Sequence, residues 1–197
     1  MVETRSLLEG ETNMNNCDIA YLLGALADGG CYCLKYRDGR SEYRCVWTQA
    51  SPVWLLISVK PRLENILENL GSNSKVKMLK GNTRYEIRVS SKLVFQLLTE
   101  SKAKIPKWIE KCENEILRHW LRGLYDAEGD KSGKRLRLWN KDRTILTLAV
   151  QALKCFGIEA YGPYLDDKRH GVHVIEIPSK HRRKFHDEIG FEHPKLA

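Results

Sequence analysis

One short segment occurs twice in this chain. Leu22-Leu23-Gly24-Ala25-Leu26-Ala27-Asp28-Gly29 and Leu121-Arg122-Gly123-Leu124-Tyr125-Asp126-Ala127-Glu128-Gly129 are both helical runs that end in an acid followed by glycine. Ile19 to Ala27 reads as an apolar helix stopped at Asp28-Gly29-Gly30, since glycine past the last turn is the usual left-handed stop. Cys31 to Arg37 and Ser41 to Gln49 then flank Asp38-Gly39, a hairpin signal. Trp54 to Leu70 carries apolar residues at helical spacing, Lys75 to Leu79 and Arg84 to Val89 form a second hairpin, and Lys92 to Leu98 is again helical. After a basic stretch containing Pro106 the order begins again. Ile116 to Tyr125 is helical, Leu136 to Trp139 strand-like, and Ile145 to Phe156 a helix stopped by Gly157. Glu159 to Leu165 and Val172 to Ile177 flank a charged turn, and Arg182 to Ile189 closes the series. An internal duplication is the economical explanation. A chain of 197 residues fits one domain, or two intimately packed halves.

Alternation shows what each hairpin presents. Arg84, Glu86 and Arg88 oppose Tyr85, Ile87 and Val89; Arg40, Glu42 and Arg44 oppose Tyr43, Cys45 and Trp47; Arg135 and Arg137 oppose Leu136 and Leu138. Turning Cys31 and Cys33 inward beside Cys45 places Tyr32 and Tyr36 on the charged face. A solvated face is the plain alternative, because antiparallel sheets commonly wet one side. The recurrence in both halves, in Arg more than Lys, favours a surface for phosphates and guanine edges. The formal charge of +8 and pI near 9.2 agree, and put nucleic acid first among partners. The six cysteines (Cys17, Cys31, Cys33, Cys45, Cys112, Cys155) form no CxxC pair, which disfavours zinc and leaves a disulfide the better of two weak options. No run approaches the roughly 18 apolar residues of a membrane span, and the start lacks a signal pattern, so a soluble, cytoplasmic chain is expected.

The second repeated segment resembles the LAGLIDADG motif position for position, and the first resembles a degenerate copy of it. From about Cys17 to Ile189 the chain is similar to single-chain, two-motif LAGLIDADG homing endonucleases of the archaeal intron-encoded type. The resemblance implies an α+β fold: duplicated αββαββα units forming a pseudo-two-fold saddle of two antiparallel four-stranded sheets. The expected divisions are an N-terminal tail 1–16, a first repeat 17–101, a linker 102–113, a second repeat 114–190 and a C-terminal tail 191–197. Small residues (Ala20, Gly24, Ala27; Gly123, Ala127) let two helices pack closely, so that Asp28 and Glu128 meet at the centre. Adjacent carboxylates repel unless cations sit between them, and hard oxygen ligands suit Mg²⁺. Mn²⁺ is expected to substitute, and Ca²⁺ to support binding without cleavage. Backbone carbonyls of Gly29 and of Ala127 or Gly129 are candidate additional ligands. Lys131 and Gln49 match the places where the family orders the hydrolytic water, although strict alternation turns Gln49 away unless the strand end re-aims it. Gly123 lies five residues before Glu128 and Gly24 only four before Asp28, a slip of about 100° that the first helix is expected to absorb. Asp126 and Asp130 compete with Glu128. The family pattern favours Glu128 and makes Asp126 structural.

The activity implied is a metal-dependent double-strand break in a long asymmetric duplex DNA target, made across the minor groove to leave short 3′ overhangs. The chain is expected to act as a monomer without a protein partner. Candidate DNA-contacting residues are Tyr32, Tyr36, Arg40, Glu42, Arg44, Lys75, Lys77, Arg84, Glu86, Arg88, Arg135, Arg137 and Trp139, with Asp166, Asp167, Lys168, Arg169 and His170 at the last hairpin tip. An intron RNA maturase or a non-cleaving DNA-binding protein would use the same scaffold, but neither needs both acids. An intein is disfavoured, because no splicing domain flanks the repeats and the sequence ends His193-Pro194-Lys195-Leu196-Ala197 without a terminal Asn.

Overall fold

A computed structural model describes residues 16–131, 133–166 and 170–196, with Asp28 described by its backbone alone. The first repeat starts with α1 (Asn16–Ala25), whose end tightens into a 3-10 turn at Leu26–Asp28. It continues through β1 (Gly29–Lys35), β2 (Ser41–Gln49), α2 (Pro52–Trp54, a π turn at Leu55–Val59, then Lys60–Asn69), β3 (Lys77–Lys80), β4 (Tyr85–Ser90) and α3 (Lys92–Lys102). After α4 (Ile105–Glu110) the second repeat runs α5 (Asn114–Glu128), β5 (Gly129–Asp130), β6 (Leu136–Asn140), α6 (Arg143–Cys155), β7 (Tyr161–Leu165), β8 (His173–Ile177) and α7 (Ser179–Glu188). The strands form two antiparallel sheets ordered β1-β2-β4-β3 and β5-β6-β8-β7, so the expected duplicated α+β architecture is present. Among the described residues, no helix is long and apolar enough to cross a membrane.

Three details differ from the sequence reading. The basic stretch expected as a linker holds α4, with Pro106 in its first turn, where the missing N–H has no helical acceptor to lose. The strand that follows α5 is two residues long where its counterpart β1 has seven. The segment after α7 is built into the fold, with His193 and Leu196 buried.

Each sheet buries one face. Cys45, Trp47, Ile87 and Val89 of the first and Leu136, Leu138, Ile175 and Ile177 of the second pack against helices in one continuous core. At the centre α1 and α5 run parallel with their backbones in contact. A Cβ on Gly24 would stand 2.1 Å from the carbonyl oxygen of Trp120, and one on Gly123 2.1 Å from that of Tyr21. Glycine inside a helix costs about 1 kcal/mol against alanine, and here its use is to let two backbones touch. The parallel course carries both helices to the same side of the molecule, so their acidic ends arrive together.

The unequal spacing from glycine to acid is absorbed by the 3-10 turn. Its rise of about 2.0 Å per residue, against 1.5 Å in an α-helix, takes four residues from Gly24 to Asp28 through about 7.5 Å, as far as the five from Gly123 to Glu128. Its tighter winding also cuts the angular mismatch from about 100° to about 40°. The first copy is therefore shorter in sequence without being shorter in space.

The contact predicts its own test. Gly24→Ala and Gly123→Ala should each destabilise the fold by about 1–3 kcal/mol or more, because the methyl group meets backbone rather than a mobile side chain. Urea unfolding gives the measurement; a variant as stable as the parent would mean that the helices are not in backbone contact.

Candidate active site and nucleic-acid interface

Asp28 closes the 3-10 turn after α1, and Glu128 is the last residue of α5. Ala27, the residue before Asp28, and Glu128 line one open cleft of about 300 Å³ together with Trp139, Asn140, Lys141 and Val172. Two parallel helices thus deliver their carbonyl ends, which carry negative partial charge, to a common place where each chain segment adds an acid. The helix ends and the acids draw cations, and their carboxylate and carbonyl oxygens suit a hard metal ion, while Lys141 in the lining offsets part of the negative charge. Gln49, last residue of β2, reaches across from the first repeat, its Nε2 donating to the carbonyl of Ala127 at 3.5 Å while its Oε1 accepts from Ala50 N at 2.9 Å. No re-aiming is needed: Gln49 keeps its regular place opposite Tyr85, with the inward parity of Trp47, and that side of the sheet is where the end of α5 lies. Lys131 donates from Nζ to the carbonyl of Leu196 at 2.7 Å, at the mouth of the segment that follows α7. Asp130 stands opposite Arg137 in the β5–β6 register, on the sheet face rather than in the cleft lining.

The outward faces follow from the registers. Tyr32 lies opposite Arg44, Arg44 opposite Ser90, and Arg88 opposite both Val46 and Lys77, so these residues share one face. Cys31 is opposite Cys45 on the inner face, which puts Tyr32 outward, 48% exposed, as expected. Tyr36 also reaches this face, donating from its hydroxyl to Glu42 Oε2 at 2.6 Å. The glutamates are interleaved with the arginines as partners. Arg44 contacts Glu42 at 2.9 Å, Arg88 contacts Glu86 at 2.6 Å, and both Arg135 and Arg137 bind Glu176. Hydrogen bonds from Arg44, then Tyr36 and Ser90, hold the Glu42 carboxyl down to about 2, so it stays charged at any working pH. Burial alone would raise Glu176, but Arg137 and Arg135 keep it below the usual carboxylate range. Arg40 is held at its turn by Asp38 at 2.7 Å. Lys75, Lys77 and Arg84 are exposed, and Lys75, Lys77 and Arg88 line one shallow groove.

Comparison with known proteins agrees with this arrangement. The chain is 41% identical over 167 residues to the homing endonuclease I-DmoI of Desulfurococcus mucosus, an overlap of 84% of each protein. Residues 115–190 match the LAGLIDADG-like domain. A crystal structure of I-DmoI in complex with DNA and Mn superposes with a TM-score of 0.82 at 39% identity, covering 89% of this chain and 97% of that one. The chain belongs to the LAGLIDADG homing endonuclease family. The fold alone extends further, to the full-length DUF199/WhiA structure, at a TM-score of 0.57 and 19% identity over 92% of this chain and 57% of the other.

Within this LAGLIDADG chain the two halves present different faces. Trp139, expected as a base reader, is only 9% exposed: it forms part of the cleft wall, and its indole N–H donates to Asp166 Oδ2 at 3.0 Å. Both side chains are thereby committed within the protein, which corrects their assignment as free readers. His170 is exposed at the last hairpin; Asp167, Lys168 and Arg169 beside it lie outside the described residues. Two aromatic residues absent from the sequence-based set are prominent instead. Tyr161 and Tyr164 are 44% and 54% exposed and lie opposite Glu176 and Val174, on the same outer face as Arg137. They are three residues apart, so strict alternation assigns them to opposite faces. The register shift between them returns both to one side.

The remaining acid of the motif is structural. Asp126 is buried and accepts from the Tyr21 hydroxyl at 2.7 Å and from the backbone N–H groups of Glu192 and His193 at 3.0 to 3.1 Å. Tyr21 in turn accepts from the Trp54 indole at 2.7 Å, so one buried chain of hydrogen bonds joins the first repeat, the second repeat and the segment after α7. Burial pushes the Asp126 carboxyl up to about 6 from an ordinary 3.8, against the pull of its donors. The folded chain therefore holds this proton more tightly than the unfolded chain, and stability should fall as pH rises from about 4 to about 6, by roughly 3 kcal/mol. Asp126→Asn has no such proton to lose. Its urea midpoint followed over that range should lack the fall, and an unchanged pH profile in the variant would place the titration elsewhere.

Proposed function

We infer that this homing endonuclease makes a metal-dependent double-strand break in a long, asymmetric duplex DNA target, acting inside the cell on genomic DNA. The observation that carries this reading is the meeting, within one chain, of two parallel acidic helix ends in a cleft flanked by two sheets with arginine-bearing outer faces. A single polypeptide supplies both acids, so a monomer suffices.

The carboxylates of Asp28 and Glu128, with the backbone carbonyls of Gly29 and of Ala127 or Gly129, would hold Mg²⁺, or Mn²⁺ in its place. A divalent cation bound there lowers the pKa of a water molecule and offsets charge on the scissile phosphate and the leaving oxygen. The protein supplies the rest. Gln49 and Lys131 are assigned to orient the attacking water: Gln49 Nε2 already reaches the carbonyl of Ala127, whereas Lys131, bonded to the carbonyl of Leu196 in a neighbouring cavity with Leu136 and Phe185, would have to turn toward the acids. The outer faces enter the major groove as antiparallel ribbons. Arg44, Arg88 and Arg137, held in place by their glutamates, turn free donors to guanine edges with little added ordering cost. Lys75 and Lys77 on the first sheet supply phosphate contacts, and Tyr161 and Tyr164 on the second supply apolar contact with base edges. The short β5 narrows the second half's reach, so the two half-sites are read to unequal depth. Cutting across the minor groove leaves short 3′ overhangs.

Asp28→Asn and Glu128→Gln each remove a charge where cations are held and leave the arginine faces intact. Each should lower double-strand cleavage by at least about 100-fold while binding, followed by gel shift in Ca²⁺, stays within a few-fold of the parent. Cleavage at the parent rate by either variant would overturn the assignment, and binding to duplex without cutting by the parent would favour a non-cleaving protein. Tyr164→Ala should weaken binding by about 1–3 kcal/mol, with a loss concentrated at a few adjacent positions of the target. Lys77→Ala should instead weaken binding uniformly and reduce the slope of log affinity against log salt by about 1. Interchange of these two behaviours would reverse the division between the sheets.

A further inference from the structure

We propose that four of the six cysteines close two disulfides, Cys31 to Cys45 within the first repeat and Cys112 to Cys155 between the connecting segment and the second repeat. Cys31 and Cys45 are directly opposed in the β1–β2 ladder, with Sγ atoms 3.1 Å apart. Opposed residues of an antiparallel pair have Cα atoms about 4.5–5.5 Å apart, inside the range that a disulfide spans. Cys112 and Cys155 bring their Sγ atoms to 2.7 Å, although 43 residues separate them.

The backbone at Cys112 points the same way independently. Its φ is +46°, the left-handed region that glycine normally fills at the residue after a helix. The helix it follows is α4, and the stop is built in the usual manner, Cys112 N–H donating to Ile109 O and Glu113 N–H to Trp108 O, both at 3.0 Å. Glycine would make this turn without strain, whereas cysteine makes it while carrying a thiol to the end of α6. The other two cysteines offer no rival pairing: Cys33 is exposed and opposite Tyr43, and Cys17 lies at the start of α1 beside Glu115 and His119.

An oxidant can reach both pairs. Cys31 lines a groove of about 500 Å³ between the repeats, while its partner Cys45 is fully buried, and Cys112 is exposed. A small-molecule disulfide of the glutathione class suffices. The Cys31 thiolate attacks one sulfur of the oxidant, forming a mixed disulfide and releasing one small thiolate. The Cys45 sulfur, giving up its proton, then attacks Cys31 and expels the second. Two cysteine thiols are oxidised, one small disulfide is reduced to two thiols, and the two protons end on those thiols. Cys112 and Cys155 react likewise. Each bridge braces one acid: Cys31 is three residues beyond Asp28, and the loop from Cys112 to Cys155 contains α5 with Glu128.

The test uses the full chain treated with oxidised glutathione or with dithiothreitol, then alkylated, weighed intact and digested. The expected result is the loss of two hydrogens per bridge, linked peptides joining 31 to 45 and 112 to 155, and alkylation confined to Cys17 and Cys33. Cys33→Ser and Cys17→Ser should each keep the first link, because one tryptic peptide, residues 6–35, carries Cys17, Cys31 and Cys33 together. The oxidised chain should unfold at a temperature higher by about 10 °C than the reduced chain. Cys155→Ser should lose part of that gain, and a variant lacking Cys31 and Cys155 should lose all of it. Four alkylatable cysteines persisting at these positions after oxidation, links through Cys17 or Cys33, or equal unfolding temperatures with and without reductant would each overturn the proposal.

Discussion

The rest of the structure depends on the backbone contact between two parallel helices. Gly24 against Trp120 and Gly123 against Tyr21 leave no room for even a methyl group. At that distance the two helices act as one rod with two acidic tips. Parallel packing sets their dipoles side by side, an unfavourable arrangement that antiparallel helices avoid, and adds Asp28 and Glu128 at the negative end. The core compensates through burial of Tyr21, Leu22, Trp120, Leu121 and Leu124, and through the hydrogen-bonded chain from Trp54 through Tyr21 to Asp126. On the reading proposed above, a divalent cation held at the tips would offset that repulsion, and the two sheets lie on either side of it.

That central chain of hydrogen bonds also explains the segment after α7. Asp126 is costly to bury, and two of its donors are the backbone N–H groups of Glu192 and His193. Glu192 then meets Arg62 of the first repeat at 2.7 Å, and Arg122 donates to the carbonyl of Ile189 at 2.6 Å. Arg62 itself lies 3.9 Å over the ring of Tyr21. The last residues fasten both halves and anchor Lys131 through Leu196. Sequence alone reads them as a tail because the partners that order them are distant in the chain and mostly backbone groups.

Element order, both sheets and the meeting of the two motif ends were legible because they rest on local signals: a glycine stop after each helix, alternation in Arg84 to Val89, and the repeated motif itself. What escaped was set by geometry that spacing does not record. The one-residue deficit in the first motif becomes a change from α to 3-10 winding rather than a rotated face. The register shift in β7 places Tyr161 and Tyr164 together, which period-two reasoning forbids. Trp139 has the right parity to face outward, yet it is covered, packed into the wall of the cleft with its indole bonded to Asp166. Gln49 has inward parity and arrives at the centre because the helix ends themselves lie on the inner side of the sheet, which a reading of the outer face alone leaves out.

The interleaved glutamates bear on how a basic surface can also be selective. A face of unpaired arginines binds any duplex through its phosphates, and strong nonspecific affinity slows the search for one site. Here Arg44, Arg88, Arg135 and Arg137 each have an internal carboxylate within contact distance. A nonspecific phosphate must compete with that carboxylate for the same guanidinium, and it offers the same chemistry, so little is gained by the exchange. A guanine edge presented in register adds a directional, bidentate match that the glutamate need not surrender entirely, because a guanidinium has five donors. On the reading proposed above, the pairing would suppress the sequence-independent part of the affinity more than the sequence-dependent part. The exposed lysines of β3, which lack the planar fork, would then supply the general attraction that brings the duplex onto the sheets.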